Sequence, residues 1–265
     1  MLYTFVAIIK MDTTMKKILL LIAVVLPFVF VSCSDDKNEP DTPDNHEYVD
    51  LGLPSGTLWA TCNVGADSPE QYGDYFSWGE VSTKENYDWP YYKWTHWVID
   101  TISEYRYDIV EVTRYKYYVR NWTDNGYIDG DGKMELEPED DAAYVNWGPG
   151  WRTPTLEQIQ ELVEKCVWQW TQKNGVNGCQ ITGPNGKSIF LPAAGARGER
   201  LYNDGQCAYY WSRTLCSPEK LRIEAADQDE AYIMFFHSWS NEVWYDSRWI
   251  GNPVRAVRAS RITIQ

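Results

Sequence analysis

Between Phe236 and Trp249 the chain reads FHSWSNEVWYDSRW, in which Trp239, Trp244, Tyr245 and Trp249 are interleaved with Asn241, Glu242, Asp246 and Arg248. Large rings offer broad contact at small entropic cost, and short polar side chains beside them supply adaptable hydrogen bonds, the make-up of a recognition surface. Ring faces also stack on the C–H groups of sugars. An extended segment with a period of two buries alternate residues and leaves the others outside. The expected ligand contacts are therefore Trp239, Trp244, Tyr245, Asp246, Arg248 and Trp249, with Tyr209 and Trp211 from YYWSRT as neighbours.

Catalytic signatures are missing from the sequence. It contains no GxSxG, no HExxH, no phosphate loop, and no cysteine with a nearby histidine to activate it. His46, His96 and His237 are far apart and the six cysteines include no CxxC pair, so no metal-ligand spacing is visible. Asp129-Gly130-Asp131-Gly132, followed by Glu135, Glu137, Glu139, Asp140 and Asp141, invites a calcium reading. The run fails the EF-hand pattern, because glycine stands at the fourth position rather than the sixth and no glutamate stands at the twelfth. A tight turn leading into an acidic helix start explains it equally well. No cofactor is expected, and calcium stays open without a specific motif.

The chain has 265 residues, net charge -14 and 44% apolar residues, with 14 Trp and 19 Tyr against 7 Phe. This acidity argues against nucleic acid and against an anionic membrane patch, both of which need lysine and arginine. Met15-Lys16-Lys17, an apolar run and Ser32-Cys33 have the layout of a signal peptide. Phe30 to Cys33 resembles a lipobox, so residues 1–33 are expected to be a lipoprotein signal, with Cys33 lipidated as the sole membrane attachment. Residues 34–46, SDDKNEPDTPDNH, carry no large apolar side chain and are expected to form a disordered acidic tether. Residues 47–265 then make one domain. The expected location is the outer membrane, exposed at the cell surface. Five cysteines remain after Cys33, an odd number that cannot all pair; one disulfide is possible, with its pair undetermined.

The main positioning element is the helix after Trp147. Thr155 and Gln158 form a capping box, and Leu156, Ile159, Leu162, Val163 and Cys166 fall on one face. Glu161 and Lys165 are spaced for an ion pair. Ser68-Pro69-Glu70 predicts a second, short helix. The rest reads as strands: an opening hairpin through Leu53–Gly56, then VWQWTQ, CQIT and KSIFLPA, then four short strands to the end, with a tight turn at Ser240-Asn241. Residues 84–127 are dense in Tyr and Trp without a period and read as long loops. The fold class is α+β.

EYVDLGLPSGTLWATCNVGA, YGDYFSWGE, LEPEDDAAYVNWG, WGPGWRTPTLEQ, NGKSIFLPAAGARG, YYWSRT and the closing GNPVRAVR, taken in order, resemble the Fibrobacter succinogenes major paralogous domain family. The resemblance implies a C-type-lectin-like domain, distantly similar to the formylglycine-generating sulfatase-modifying enzymes. It also places ligand contacts just before the closing motif, as in the variable proteins of diversity-generating retroelements. Here Ala256 stands where that motif usually has proline. The resulting expectation is non-catalytic binding of an external glycan or protein. An enzyme using Cys207 and Cys216, or a fimbrial subunit, are the alternatives.

Overall fold

The structure is a computed structural model that describes residues 45–94, 98–103, 106–110, 117, 120–123, 126–129, 131–216 and 230–259. The signal, Cys33 and nearly all of the tether lie outside these residues. Among the described residues no helix is long and apolar enough to cross a membrane.

The chain opens with β1 (Tyr48–Asp50) and β2 (Leu58–Ala60), joined through a turn in which Gly56 N–H donates to Leu53 O. His46, placed in the tether by composition, stacks on Trp147 at 3.9 Å. After β2 the Ser68 segment makes a single turn rather than a helix, with Gln71 N–H donating to Ser68 O. The Gln71 amide oxygen accepts from Asp67 and Ser68 N–H as at a helix start, but Gly73, left-handed at φ 73°, ends the segment after that one turn. β3 (Tyr75–Phe76) follows. The aromatic stretch read as loop contains two hairpins, β4 (Val98–Ser103) with β5 (Arg106–Val110) and β6 (Arg120–Thr123) with β7 (Gly126–Asp129).

The second helix lies where the acidic run ends. In α1 (Ala142–Trp147) the Asp141 carboxylate accepts from Ala143 and Tyr144 N–H, and also from Thr153 N–H and Oγ1–H, tying the helix start to the next segment. In α2 (Leu156–Lys165) both capping-box hydrogen bonds form, and Leu156, Ile159 and Leu162 are buried. Each such side chain contributes about 1.5–3 kcal/mol by leaving water. Glu161 binds Ser55 N–H and Oγ–H, at 2.9 and 2.5 Å, instead of Lys165, whose ammonium is 3.7 Å from Glu164. A partner that also donates from a fixed backbone outcompetes a flexible surface lysine.

β8 (Val167–Lys173), β9 (Val176–Thr182) and β10 (Ser188–Pro192) form an antiparallel meander. Its first turn is only Asn174-Gly175, with φ of 50° and 82°, the doubly left-handed pair that a two-residue hairpin turn requires. β11 (Ala196–Arg197) and β12 (Leu201–Tyr202) are a small hairpin. A second meander, β13 (Cys207–Leu215), β14 (Glu230–His237) and β15 (Ser240–Ser247), is the centre of the molecule. β14 is buried almost along its length because both faces are covered, as its unbroken AYIMFF run requires. Tyr210, Met234 and Phe236 pack with Ile159 and Leu162 of α2 on one side. Trp211, Ile233 and Ala231 pack with Phe76, Trp78 and Trp151 on the other.

β16 (Asn252–Pro253) pairs with β3, and β17 (Val257–Arg258) pairs with β2, closing the end of the chain onto its beginning. The motif GNPVRAVR supplies this closure. A Cβ at Gly251 would sit 2.6 Å from the Tyr87 ring, so no larger residue fits. Arg255, fully buried, donates to Asn63 Oδ1, Ala60 O, Thr61 O and Phe190 O at 2.7–3.1 Å.

Candidate functional site

In the second meander residues directly opposite share a face. Tyr209, Phe235 and Glu242 form one row, Trp211, Ile233 and Trp244 the next, and Leu215, Ala231 and Asp246 a third. At the open end of this face the rings run in series: Tyr202 to Tyr209 at 6.4 Å, Tyr209 to Phe235 at 5.0 Å, Phe235 to His237 at 5.3 Å and His237 to Trp239 at 4.2 Å. Trp239 is 84% exposed and Trp244 49% exposed. The turn carrying Trp239 is Ser238–Trp239, and Ser240 and Asn241 already belong to β15. His237 sets this position: its Nδ1 accepts from Trp239 N–H at 3.3 Å, and its Nε2 lies 3.2 Å from Ser240 Oγ.

On the same sheet face, two rows from Tyr209, lies the half-buried carboxylate of Asp246. Its carboxylate accepts from Ser247 N–H at 2.9 Å and from Asn252 Nδ2 at 3.0 Å, and no ion pair reaches it among the described residues. Burial pushes its pKa above the ordinary carboxylate range, with the two donors opposing. The same carboxylate helps burial raise the Tyr202 and Tyr209 hydroxyls, so its charge is felt at both. Asn203 donates to Tyr209 Oη at 3.0 Å and holds that ring in place.

Tyr209, Trp239, Trp244 and Asp246 are thus brought to one surface, and the other expected residues are not. Trp211 is 2% exposed and donates from Nε1 to Phe76 O at 2.7 Å, so it is core. Arg248 is fully buried, its guanidinium over the rings of Trp78 (4.7 Å) and Tyr92 (5.5 Å). Trp249 is half-buried 6.0 Å from Trp89, and its carbonyl accepts from Ser77 Oγ–H. The reason is local: β15 ends at Ser247, and a turn from Ser247 O to Ile250 N–H takes the chain inward before Arg248 and Trp249. Tyr245 falls on the opposite face, packing with Leu156 and Tyr232, though its ring also stacks on Trp244 at the sheet edge. Tyr202, Phe235, His237 and Asn252 were missed. Alternation along AYIMFFH would have found Phe235 and His237 as partners of Tyr209 and Cys207; nothing in the Gly-rich loop signals Tyr202.

No disulfide joins Cys62, Cys166, Cys179, Cys207 and Cys216. Cys207 begins β13 and Cys216 follows its end, which separates them by on the order of 25–30 Å of extended chain, against the ~6 Å of a bridge. They do not share a site. Burial pushes the Cys166 thiol up to about 11 and the Cys179 thiol up to about 12, away from nucleophilic character. The acidic run does gather Glu137, Glu139 and Asp140, with carboxylate oxygens within 4.8 Å of one another. Lys93 and Tyr117 already bind Asp140, and Lys133 binds Glu137, so the charge is met from within the chain. A cavity of about 450 Å³ opens beside His46, Cys62, Asp67 and Trp147. Its lining rings are His46 and Trp147, which stack on each other, and the aromatic face is the better recognition surface.

Among the described residues the protein is therefore a mixed α+β structure of mostly antiparallel sheets with two α-helices, carrying an exposed aromatic series and, on the same sheet face, a half-buried carboxylate. No family model, no curated protein and no solved structure matches the chain.

Proposed function

We propose that this is a lipid-anchored surface protein whose C-type-lectin-like domain binds an external glycan or protein without catalysis. The observation that carries the reading is the series of rings from Tyr202 to Trp239, of which Trp239 stands 84% exposed. A tryptophan held out in water by a two-residue turn contributes nothing to the core, and together with Trp244, 49% exposed on the same sheet face, it supports contact with another molecule. The lectin-like reading is supported by the order of the family motifs and by closure of the last strand onto the second. The lipid anchor rests on the residues around Cys33.

The test is a glycan array probed with the detergent-solubilised protein, with and without calcium, followed by a pull-down from cell surfaces if the array is blank. Binding that is lost in Trp239→Ala and Tyr209→Ala supports the reading. Binding indifferent to both variants overturns the site. The anchor is tested separately: Cys33→Ala should move the protein from the detergent phase to the aqueous phase on phase partitioning.

A further inference from the structure

β13 and β15 are the two edge strands of the central sheet, and the chain treats them differently. Along β13 it covers its own edge: Leu136 N–H donates to Arg213 O, Leu215 N–H to Met134 O, Arg213 N–H to Pro154 O and Gly195 N–H to Cys207 O. Along β15 no described strand pairs with the outer edge. The two-residue turn before β15 closes on His237 and Ser240, a pair that exchanges both backbone hydrogen bonds, and bonded and non-bonded pairs alternate from there. Ser240, Glu242, Trp244 and Asp246 therefore bond inward to β14, while Asn241, Val243, Tyr245 and Ser247 direct N–H and C=O outward. Ser247 fits this phase, since its N–H meets the Asp246 carboxylate and its carbonyl accepts from Ile250 N–H. The outward backbone groups of Asn241, Val243 and Tyr245 have no partner among the described residues.

Natural edge strands are commonly blunted by lysine, proline, a bulge or shortness. β15 has eight residues, SNEVWYDS, with neither lysine nor proline, and it pairs along β14 without a bulge. It carries Glu242 and Asp246 instead, on the same face as Trp244, and these carboxylates decide what the edge accepts. In every antiparallel self-pairing that lets the outward groups bond, Glu242 or Asp246 stands opposite or diagonal to a carboxylate of the second copy, where like charges destabilise. A second copy is thereby disfavoured, and the net charge of -14 adds to the repulsion. A basic strand reverses the sign. Its side chains opposite Glu242, Trp244 and Asp246 fall in non-hydrogen-bonded pairs, where cross-strand approach is closest. A lysine or arginine there reaches a carboxylate and the Trp244 ring, which is 49% exposed. From this we infer that the outer edge of β15 binds an extended segment of a protein partner by strand addition, and that the segment carries lysine or arginine at alternate positions, facing Glu242, Trp244 and Asp246. This assignment rests on the binding function proposed above, and it seats the protein ligand on the strand edge in place of the ring series.

The experiment is calorimetric titration of the full chain in detergent at low salt. The probes are a peptide alternating lysine with threonine over the length of β15, the same peptide with glutamate for lysine, and two N-methylated forms of the basic peptide. Each cross-strand pair of opposite charge is worth up to about fivefold and like charges act in reverse, so the lysine peptide should bind at least roughly tenfold more tightly than the glutamate peptide. In the bound strand the threonine amides face β15 and the lysine amides face away. Methylating the threonine amides should abolish binding, and methylating the lysine amides should preserve it. Glu242→Lys should weaken the lysine peptide roughly tenfold. Val243→Pro removes an outward N–H and no bond to β14, and it should abolish binding; Asn241→Pro is the second variant should the first fail to fold. Equal affinity of the two methylated forms would mean charge attraction without strand addition and overturns the edge. Equal binding of the lysine and glutamate peptides, no binding of the lysine peptide, or a dimer of the parent that Val243→Pro dissolves overturns the basic partner. Each of these results leaves the ring series standing, because its own test, loss of captured ligand in Trp239→Ala and Tyr209→Ala, is read on the array and in the pull-down.

Discussion

Trp211 and Trp239 are the sharpest pair on which to test the division between core and surface. In sequence they carry the same side chain in similar aromatic company; in the structure one is 2% and the other 84% exposed. Replacing Trp211 by alanine removes a ring packed among Phe76, Trp78 and Ile233, a loss of about 3–5 kcal/mol for a buried tryptophan. It also strands Phe76 O, which accepts from Trp211 Nε1 at 2.7 Å, adding about 1–3 kcal/mol unless water enters. The total of about 4–8 kcal/mol approaches the whole stability of an ordinary domain. Trp239→Ala removes no buried area of consequence and should change stability by less than about 0.5 kcal/mol.

Equilibrium urea unfolding followed by tryptophan fluorescence and by far-ultraviolet circular dichroism reads both effects. Trp211→Ala should be unfolded or shifted to far lower urea, and Trp239→Ala should superimpose on the parent. A Trp211→Ala loss below about 2 kcal/mol would mean that the second core is not packed as described. A Trp239→Ala loss above about 1 kcal/mol would mean that the exposed ring is held by contacts and is not displayed for a ligand.

Arg255→Met keeps volume but leaves Asn63 Oδ1 and the carbonyls of Ala60, Thr61 and Phe190 without their donor, so a loss of about 3–5 kcal/mol in thermal unfolding is expected; a near-neutral result refutes the network. Thr155→Ala breaks the capping box of α2 and should cost about 1 kcal/mol by urea unfolding, with Thr155→Ser recovering most of it. Asp246 has its pKa raised by burial, so the folded state holds a proton that the unfolded state has released, and its contribution to stability falls as pH rises from the ordinary carboxylate range through the raised value. Asp246→Asn should therefore gain on the parent as pH increases across that window, measured as the difference in unfolding midpoint; a difference flat in pH refutes the burial of the charge.

Local signals read from the sequence held where one interaction decides the outcome. The capping box at Thr155 and Gln158, the apolar face of α2 and the Leu53–Gly56 turn are set by residues within one turn of each other, and all three occur. The Glu161–Lys165 pair failed because Ser55, more than a hundred positions away, brings a better partner to Glu161. The Ser68 helix failed because Gly73, left-handed at φ 73°, turns the chain away after a single turn. On the site, alternation along β15 puts Trp244 and Asp246 on one face and Tyr245 on the other. It failed at Arg248 and Trp249 because the strand ends at Ser247, and no residue between Asp246 and Ile250 is a turn former strong enough to announce it.

The position of that strand end decides what the aromatic face can do. Had β15 continued, Arg248 would have followed Asp246 along the same face and neutralised it at a distance of two residues. Instead the chain turns inward, and Arg248 spends its charge on the faces of Trp78 and Tyr92, where the indole of Trp78 is itself fixed by Ser212 O. The opposite charges that stand two apart in the sequence are thereby sorted to different surroundings: the cation into the core, the carboxylate to the sheet face that also carries Tyr209. Replacing Arg248 by methionine tests whether this sorting stabilises the fold alone: stability should fall by thermal unfolding while ligand capture by the aromatic face, read on the glycan array or in the pull-down, persists. If that capture vanished together with stability, the inward turn after Ser247 would itself be what holds the face in place.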